Sequence, residues 1–274
     1  MCLRKAQNIM ITILRDIDYI CRENNINYWI ESGTLLGAVR HGGFIPWDDD
    51  IDISMLRADY NKFIKIAEEK LPKDLYIENM YNKSNIDYQW SKVRHKNSEF
   101  IEYPELKDHG GIFVDIFPYD YCNNKNKRMI NKKNKLRIIY KFIFYSNKLF
   151  SKPYFKNINR NFKILLGRIY TAISSNKDYE SINNKLKNKV KFIDELEETN
   201  KITYGVEVIC FKEYLYIDDI FPLKEIEFEN IKVKCPKNNH NCLKNFFGED
   251  YMKLPKEENR IWHNRGIYIY EYRE

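Results

Sequence analysis

Two common phosphate-binding motifs are absent from this 274-residue sequence. Neither the P-loop pattern G-x-x-x-x-G-K-[ST] nor the Rossmann pattern G-x-G-x-x-G occurs, so P-loop and dinucleotide-binding folds find no support. No apolar run approaches the roughly 20 residues that a membrane-spanning helix needs. The apolar stretch near the N-terminus is interrupted by Arg15, Asp16 and Asp18, which argues against a signal peptide. We therefore expect a cytoplasmic protein, and its 43% hydrophobic content is enough for a core.

The six cysteines form no C-x-x-C pair, which suits reduced thiols in a reducing compartment. One cluster carries ligand-type residues, namely Cys235, His240 and Cys242. A structural zinc site there, completed by Cys210, is one interpretation, but the spacing matches no common zinc finger. Packed free thiols are the favoured interpretation.

Acidic residues are missing from one long segment. Between Tyr121 and Lys177 there are fifteen Lys and Arg and no Asp or Glu, so the rest of the chain carries a net charge of −8 within a total of +7. The segment is also rich in Tyr, Phe and Ile. It predicts either a helical surface that lies on anionic lipid, with lipid-facing cations at Lys132, Lys133, Lys135 and Arg137, or a solvated insertion.

Hydrophobic periodicity predicts a mixed α/β (α+β) fold, with a mixed sheet flanked by helices. An amphipathic first helix runs from about Leu3 to Cys21. Strands are predicted at Asp50 to Met55 and at Tyr88 to Arg94, a hairpin turns at Glu229-Asn230, and a last helix near His240 to Phe247 ends at Gly248. We divide the chain into a catalytic core at 1–120, a basic helical insertion at 121–199 and a C-terminal part at 200–274 that completes the catalytic domain.

The stretch "GTLLGAVRHGGFIPWDDDIDIS" (33–54) holds four of the ten glycines and four carboxylates. Asp50 and Asp52 alternate with apolar isoleucines, which is the period of a half-buried strand, so both acids project from one face. Like charges held this close repel, and one would take up a proton unless a cation lay between them. Magnesium binds through one or two carboxylates plus substrate phosphates, so the stretch indicates half of a phosphate-handling metal site.

A second stretch, "HGGIFVDIFPYD" (109–120), has the same form. Two glycines precede an apolar strand in which Asp115 stands alone, and a buried lone acid is expensive unless something compensates it. Two acids on one strand and a third on a neighbouring strand are typical of nucleotidyltransferase active sites, where they hold two cations over a nucleotide's phosphates.

Several blocks together resemble the LicD family, which includes bacterial phosphocholine transferases and resembles the fukutin-related glycan phosphotransferases. They are, in family order, "YWIESGTLLGAVRHGGFIPWDDDIDISM", "WSKVRHKNSEFIE", "HGGIFVDIFPYD", "FENIKVKCPKN" and "FFGEDYMKLPKEENRIWHN". The resemblance covers the chain from about Ile9 to Asn264 and is weakest across 121–199.

This resemblance implies a nucleotidyltransferase-like fold and transfer of a phospho-substituent from a CDP-linked donor to a sugar hydroxyl of a surface glycan, which is commonly assembled on a lipid carrier. It places the family's metal ligands, for Mg²⁺ or Mn²⁺ and two ions, on Asp48, Asp50, Asp52 and Asp115. Either Asp115 or Asp52 is the candidate base for the acceptor hydroxyl. Asp49 is expected to face the other way.

Further residues are candidates for binding the substrate. Helix-start N–H groups at Ser32, Gly33 and Thr34 suit an anion, although a plain turn and cap uses the same residues. Arg40, beside His41, either clamps a phosphate or pairs with the acids.

Basic and aromatic side chains complete the candidate set. Lys92 and Arg94 alternate on a predicted strand and share a face, and the resemblance favours a substrate-phosphate role for them. His263 is a weaker candidate. Trp47 and Trp90 either form part of a cage for a quaternary ammonium or serve ordinary core packing, which is the commoner use of aromatic residues.

Three other functions stay open. The same fold could use CDP-ribitol, CDP-glycerol or CDP-ethanolamine. A true nucleotidyltransferase would add NMP and release pyrophosphate in place of CMP. A nucleic-acid-binding protein using the basic segment ranks lowest, because the acids and glycines would then have no role, and we expect no nucleic-acid partner.

Overall fold

The computed structural model describes residues 2–79, 82, 90–102, 110–122, 127–146, 158–174, 198–208, 214–260 and 264–270. The helices are α1 (Cys2–Glu23), α2 (Ser32–His41), α3 (Arg57–Lys70), α4 (Lys127–Ser146), α5 (Ile158–Ser174), α6 (Ile217–Ile220) and α7 (Asn239–Phe247). The strands are β1 (Trp29–Ile30), β2 (Asp52–Leu56), β3 (Leu75–Glu78), β4 (Ser91–His95), β5 (Ser98–Ile101), β6 (Phe113–Tyr121), β7 (Lys201–Tyr204), β8 (Tyr214–Tyr216), β9 (Lys224–Phe228), β10 (Ile231–Cys235) and β11 (Gly266–Ile269). This is the predicted mixed α/β architecture.

The main sheet has seven strands in the order β1-β2-β6-β4-β3, with β7 also paired to β6 and β8 paired to β7. β6 lies at its centre, parallel to β2 and antiparallel to β4 and β7. Two small antiparallel pairs, β9 with β10 and β5 with β11, lie outside this sheet. Residues from 201 onward thus supply two strands of the main sheet.

Most predicted elements are found, with shifted ends. α1 buries the apolar face that its spacing predicts, α7 ends at Gly248 with φ +80°, and the β9–β10 hairpin turns at Glu229 with φ +57°. β2 begins at Asp52, two residues later than predicted, because the pairing with β6 reaches back only to the carbonyl of Ile51. The predicted start of β4 at Tyr88 lies outside the described residues.

A buried ion network joins α3 to the sheet and to the loop after β7. Arg57 is 7% exposed; its Nε donates to Asp120 at 2.7 Å, and its two terminal nitrogens donate to both oxygens of Glu207 at 2.8 Å. Lys133 of α4 lies 3.1 Å from the other Asp120 oxygen. Burial lowers the pKa of Arg57, but the charges of Asp120 and Glu207 outweigh this effect and raise that pKa further.

The basic helix α4 is therefore attached to the fold by some of its own cations. Lys133 pairs with Asp120, and the guanidinium of Arg137 donates to the carbonyl of Val208 at 3.0 Å. The prediction that these two residues face lipid is wrong, because both are committed to contacts within the protein. Lys132 and Lys135 are exposed. None of the helices in the described segments combines the length and apolarity that a bilayer crossing requires.

Candidate active site

A row of ionisable side chains crosses the main sheet. Asp52 on β2 pairs in register with Asp115 on β6, and Asp115 pairs with Lys92 on β4, which pairs with Glu78 on β3. At the other end, the backbone N–H of Glu31 donates to the carbonyl of Asp52 at 3.1 Å. Residues directly opposite in a sheet project from the same face, so one face carries the whole row.

Asp52 has the most crowded electrostatic position in this row. Its side chain is half-buried, and burial raises the pKa of its carboxyl well above the usual range. The charged neighbours that raise this pKa further are all carboxylates, namely Asp50, Asp115, Glu31 and Asp48. This is the arrangement in which a cation relieves both the burial and the mutual repulsion.

Asp115 is held by two donors, one on the neighbouring strand β4 and one on the residue just before that strand. Trp90 Nε1 donates to Oδ1 at 2.7 Å, and Lys92 Nζ lies 3.0 Å from the same oxygen and 3.2 Å from Oδ2. Burial raises the pKa of the Asp115 carboxyl, while the charge of Lys92 lowers it. Asp115 is thus fixed in position, with a cationic group directly beside it.

The three aspartates before β2, at positions 48, 49 and 50, differ in burial. Asp49 is fully buried and accepts hydrogen bonds from the backbone N–H and side-chain amide of Asn264, so its carboxylate binds the C-terminal segment. Asp48 and Asp50 are half-buried. The side-chain amide of Gln7 on α1 donates to the Asp48 carbonyl at 2.9 Å, which holds this segment against the first helix.

The start of α2 lies beside these carboxylates. Ser32 has φ +48°, an uncommon backbone conformation for a residue other than glycine and one often found at functional sites. The hydroxyl of Thr34 accepts a hydrogen bond from the Asp52 N–H at 2.8 Å, so the helix start and β2 are locked together. The first turn of α2 lies against the Asp48 carboxylate, and the N–H groups of a helix start suit an anion.

Gly33 allows Asp48 to approach the helix start. A Cβ added at Gly33 would lie 2.9 Å from Asp48 Oδ2, so Gly33→Ala must move that carboxylate. We expect this variant to fold normally and to need a several-fold higher Mg²⁺ concentration for half-maximal turnover, because one carboxylate leaves its place.

Turnover measured as a function of Mg²⁺ concentration checks this expectation. Gly266→Ala is the matched control, since an added Cβ there makes only ordinary contacts at 3.4 Å. An unchanged magnesium requirement in Gly33→Ala would contradict a functional role for Asp48.

The predicted phosphate-binding pair Lys92 and Arg94 shares a face, as expected, and both cations lie over the ring of Phe113 at 3.3 and 5.0 Å. Their environments differ. Lys92 pairs with Asp115 at 3.0 Å, whereas Arg94 donates to Glu78 at 2.8 Å and to the Gly111 carbonyl at 2.7 Å. The structure thus places Lys92 beside Asp115, and Arg94 holds the loop before β6.

Arg40 and His41 lie at the other end of α2, about 12 to 14 Å along the axis from Ser32. The Arg40 guanidinium donates to the carbonyls of Tyr251 and Lys253 at 3.0 and 3.3 Å. Burial lowers the pKa of Arg40, and the charge of Asp48 opposes that shift. Burial lowers the pKa of His41, and the positive charge of the neighbouring Arg40 lowers it further. Arg40 therefore links the C-terminal segment to α2.

The two tryptophans have different partners among the described residues. The ring of Trp47 is covered by the guanidinium of Arg260, 4.2 Å from its centre, and Trp90 packs against Phe117 while donating to Asp115. His263 lies outside the described residues.

The cysteine cluster has the character of packed thiols. Cys235 and Cys242 are buried and free, and burial raises the pKa of Cys242 to about 12. Burial also raises the pKa of Cys235. His240 is turned to the hydroxyl of Tyr251 at 2.7 Å. Cys210 lies outside the described residues.

Sequence reasoning missed Glu31 as part of the site. Its side chain is 1% exposed and accepts hydrogen bonds from the hydroxyls of Tyr119 and Tyr204 at 3.0 and 2.8 Å. The available signal was its place at the end of a strand, directly before Ser32 and Gly33. Only the pairing with β2 brings it opposite Asp52.

The carboxylates around Asp52 fit a hard divalent cation. All the available ligand atoms are oxygens, and the raised pKa of Asp52 reports negative charge that a cation would neutralise. Within the described ranges, no three His, Cys, Asp or Glu side chains are arranged to hold a metal ion by themselves. That is compatible with magnesium, which is commonly bound through one or two carboxylates with substrate phosphates and water as its other ligands.

Comparison with known proteins agrees with this geometry. The sequence model described as LicD/FKTN/FKRP, nucleotidyltransferase domain, matches residues 25–164. The lipopolysaccharide cholinephosphotransferase LicD of Haemophilus influenzae is 28% identical over 271 residues, which cover 96% of each chain. The Rickettsia prowazekii protein RP689 is 32% identical over 176 residues, or 56% of this chain and 64% of that protein.

A shorter match is more similar. The ribitol 5-phosphate transferase FKRP of Homo sapiens is 53% identical over 34 residues, which are 12% of this chain and 7% of that protein. The family match extends over half of the chain and includes β2, β3, β4 and β6, on which the row of ionisable residues lies. This chain therefore belongs to the LicD/FKTN/FKRP family.

Proposed function

We propose that this protein transfers phosphocholine, or a similar phospho-substituent, from a CDP-linked donor to a sugar hydroxyl of a cell-surface glycan. The observation that carries the proposal is the Asp52–Asp115 pair on adjacent parallel strands, with Asp48, Asp50 and Glu31 around Asp52. Names of two relatives, a cholinephosphotransferase and a ribitol 5-phosphate transferase, support a phosphotransferase that modifies glycans.

The reaction requires one phosphorus–oxygen bond to form and one to break. The acceptor hydroxyl oxygen attacks the phosphorus that carries the head group, and the bond from that phosphorus to the bridging oxygen breaks, so CMP leaves. The hydroxyl proton passes to a carboxylate, for which Asp52 and Asp115 are the candidates. Catalysis of this kind depends mainly on positioning and on charge stabilisation.

The chain divides these tasks among its residues. Asp48, Asp50, Asp52 and Asp115 would hold Mg²⁺ or Mn²⁺, which when bound neutralises charge on the donor diphosphate and on departing CMP. Lys92, fixed beside Asp115, offers a further cation to a phosphate oxygen. The N–H groups at the start of α2 offer hydrogen-bond donors to the same anion.

Donor specificity is the direct test. The protein should be incubated with Mg²⁺, a candidate acceptor glycan and, in turn, CDP-choline, CDP-ethanolamine, CDP-ribitol or CDP-glycerol, and CMP release measured. We expect acceptor-dependent CMP release with one of these donors, and CDP-choline first, because the relative that spans 96% of the chain is a cholinephosphotransferase. Asp52→Asn serves as the inactive control.

Two outcomes would redirect the proposal. Release of pyrophosphate from a nucleoside triphosphate, with no CMP from any CDP-linked donor, would indicate a true nucleotidyltransferase. Preference for CDP-ribitol would keep the chemistry and change the head group, which the 34-residue likeness to FKRP makes the second donor to test.

A further inference from the structure

Helix α5 exposes a continuous apolar stripe. Six large apolar side chains on this helix are between 36% and 80% exposed: Ile158, Phe162, Leu165, Leu166, Ile169 and Ile173. Scattered exposed apolar residues are ordinary, but an unbroken stripe along a whole helix marks an interaction site. At 1.5 Å per residue the stripe is about 22 Å long.

The stripe faces directly away from the protein. With about 100° between successive residues, its six side chains fall within an arc of about 100°, while Ile164 and Gly167 project from the opposite side of the helix. Ile164 is fully buried, and a Cβ added at Gly167 would lie 2.5 Å from the Phe142 carbonyl oxygen of α4. Close contact at Gly167 therefore fixes the rotation of α5 that leaves the stripe outside.

Cations border the stripe on both edges. On the same helical projection, Lys163 and Arg168 each lie about 60° beyond one edge of the apolar arc. Both side chains are exposed, and the sequence between Tyr121 and Lys177 contains no Asp or Glu. An apolar face with basic borders and without acids is the pattern of helices that lie in the interface of an anionic bilayer.

We propose that α5 docks this protein on the surface of an anionic lipid bilayer, with the stripe inserted among the acyl chains and the bordering cations at the phosphate headgroups. The positive charge at the borders of the stripe favours lipid over a second copy of this chain as the binding partner. A symmetric contact of α5 with its own copy would bring Lys163 and Arg168 of both chains together without any acid to pair with them. Lipid phosphates supply the complementary charge.

This docking goes beyond the proposed transfer reaction, and its test does not use turnover. The full chain should be sedimented with vesicles of equal parts phosphatidylglycerol and phosphatidylcholine, and with vesicles of phosphatidylcholine alone. We expect binding to the first and little to the second, with binding that falls as salt rises because exposed charges are screened over about 10 Å at 0.1 M.

Substitutions separate the stripe from the general positive charge. Phe162→Ser with Ile169→Ser should weaken binding about tenfold or more, because apolar area no longer leaves water. Lys163→Gln with Arg168→Gln should also weaken binding about tenfold and reduce its salt dependence. The matched control is Tyr19→Ser with Phe247→Ser, which removes two exposed aromatic side chains elsewhere and should bind as the wild type does.

Three results would overturn the docking surface. The wild-type chain could fail to sediment with anionic vesicles, or the stripe variant could bind as well as the control variant. Sedimentation equilibrium could also show a wild-type dimer that the stripe variant abolishes, with no vesicle binding by either. That last result would assign the stripe to a second copy.

Discussion

Replacing Asp52 by Asn is expected to lower turnover by about 10³-fold or more while raising the stability of the metal-free protein. Turnover falls because the amide keeps the shape of the carboxyl and removes the charge that binds the cation, and each tenfold loss corresponds to about 1.4 kcal/mol of barrier. Stability rises because the variant no longer buries a carboxyl among Asp50, Asp115, Glu31 and Asp48. Asp50→Asn and Asp115→Asn should lose turnover similarly.

The pH dependence of this stabilisation follows from the direction of the pKa shift. The folded-state pKa of Asp52 lies well above the ordinary value of 3.8, so the unfolded chain ionises this group at a lower pH than the folded protein does. Wild-type stability is therefore lost as pH rises from about 4 toward the folded-state pKa. The advantage of Asp52→Asn in melting temperature should be small near pH 4 and larger at pH 8.

Thermal melts with and without Mg²⁺ check this expectation alongside turnover. Saturating Mg²⁺ should raise the melting temperature of the wild-type protein, because the ion binds only the folded state, and it should raise that of Asp52→Asn much less. Asp16→Asn is the matched control, since burial also raises the pKa of Asp16, which lies on α1. Full turnover in Asp52→Asn at saturating Mg²⁺, or wild-type turnover in excess EDTA, would refute the metal assignment.

Replacing Arg57 by Ala is expected to lower the free energy of unfolding by about 3–5 kcal/mol. The substitution removes the three hydrogen bonds that Arg57 donates to Asp120 and Glu207, and it leaves both carboxylates buried. A loss of this size corresponds to a fall of roughly 10 °C in melting temperature for a chain of this length. Urea unfolding, followed by circular dichroism, measures it directly.

Arg22 provides the matched control for burial. Its guanidinium also pairs with two carboxylates, Asp18 and Glu225, at 2.7 Å each, but its side chain is 39% exposed. Exposed pairs contribute about 0–1 kcal/mol, so Arg22→Ala should change stability little. The triple variant Arg57→Met, Asp120→Asn, Glu207→Gln should recover part of the loss. Equal effects of Arg57→Ala and Arg22→Ala would contradict the network's importance.

Local sequence patterns were sufficient to predict the helices and strands that have a clear periodicity or a turn residue at their end. The spacing of apolar residues predicted α1, whose buried face is determined by a 3.6-residue period alone, and Gly248 predicted the end of α7. The alternation around Glu229-Asn230 predicted the β9–β10 hairpin, because neighbouring strands in a hairpin pair through local contacts. Short strands such as β8 and β11, at the edges of their sheets, were missed, since a few residues carry too little pattern.

The sequence predicted which residues form the candidate site, but it did not predict the strand register and contacts that bring them together. Charge crowded beside glycines singled out Asp50, Asp52 and Asp115 from the sequence. Their register depends on β2 and β6, strands about sixty residues apart in the chain, and no local pattern specifies such a pairing. The same limit applies to Asn264, which reaches Asp49 from 215 residues away.

The sequence by itself determined the mixed α/β class, the family and the acids that concentrate negative charge, because periodicity, motif and composition are local properties of the chain. Only the tertiary structure decided that Glu31 joins those acids, that Arg94 binds Glu78 while Lys92 reaches Asp115, and that Lys133 is an internal partner. It also turned the apolar stripe of α5 outward. The reason is that burial and pairing depend on neighbours brought together from distant parts of the chain, which local sequence does not specify.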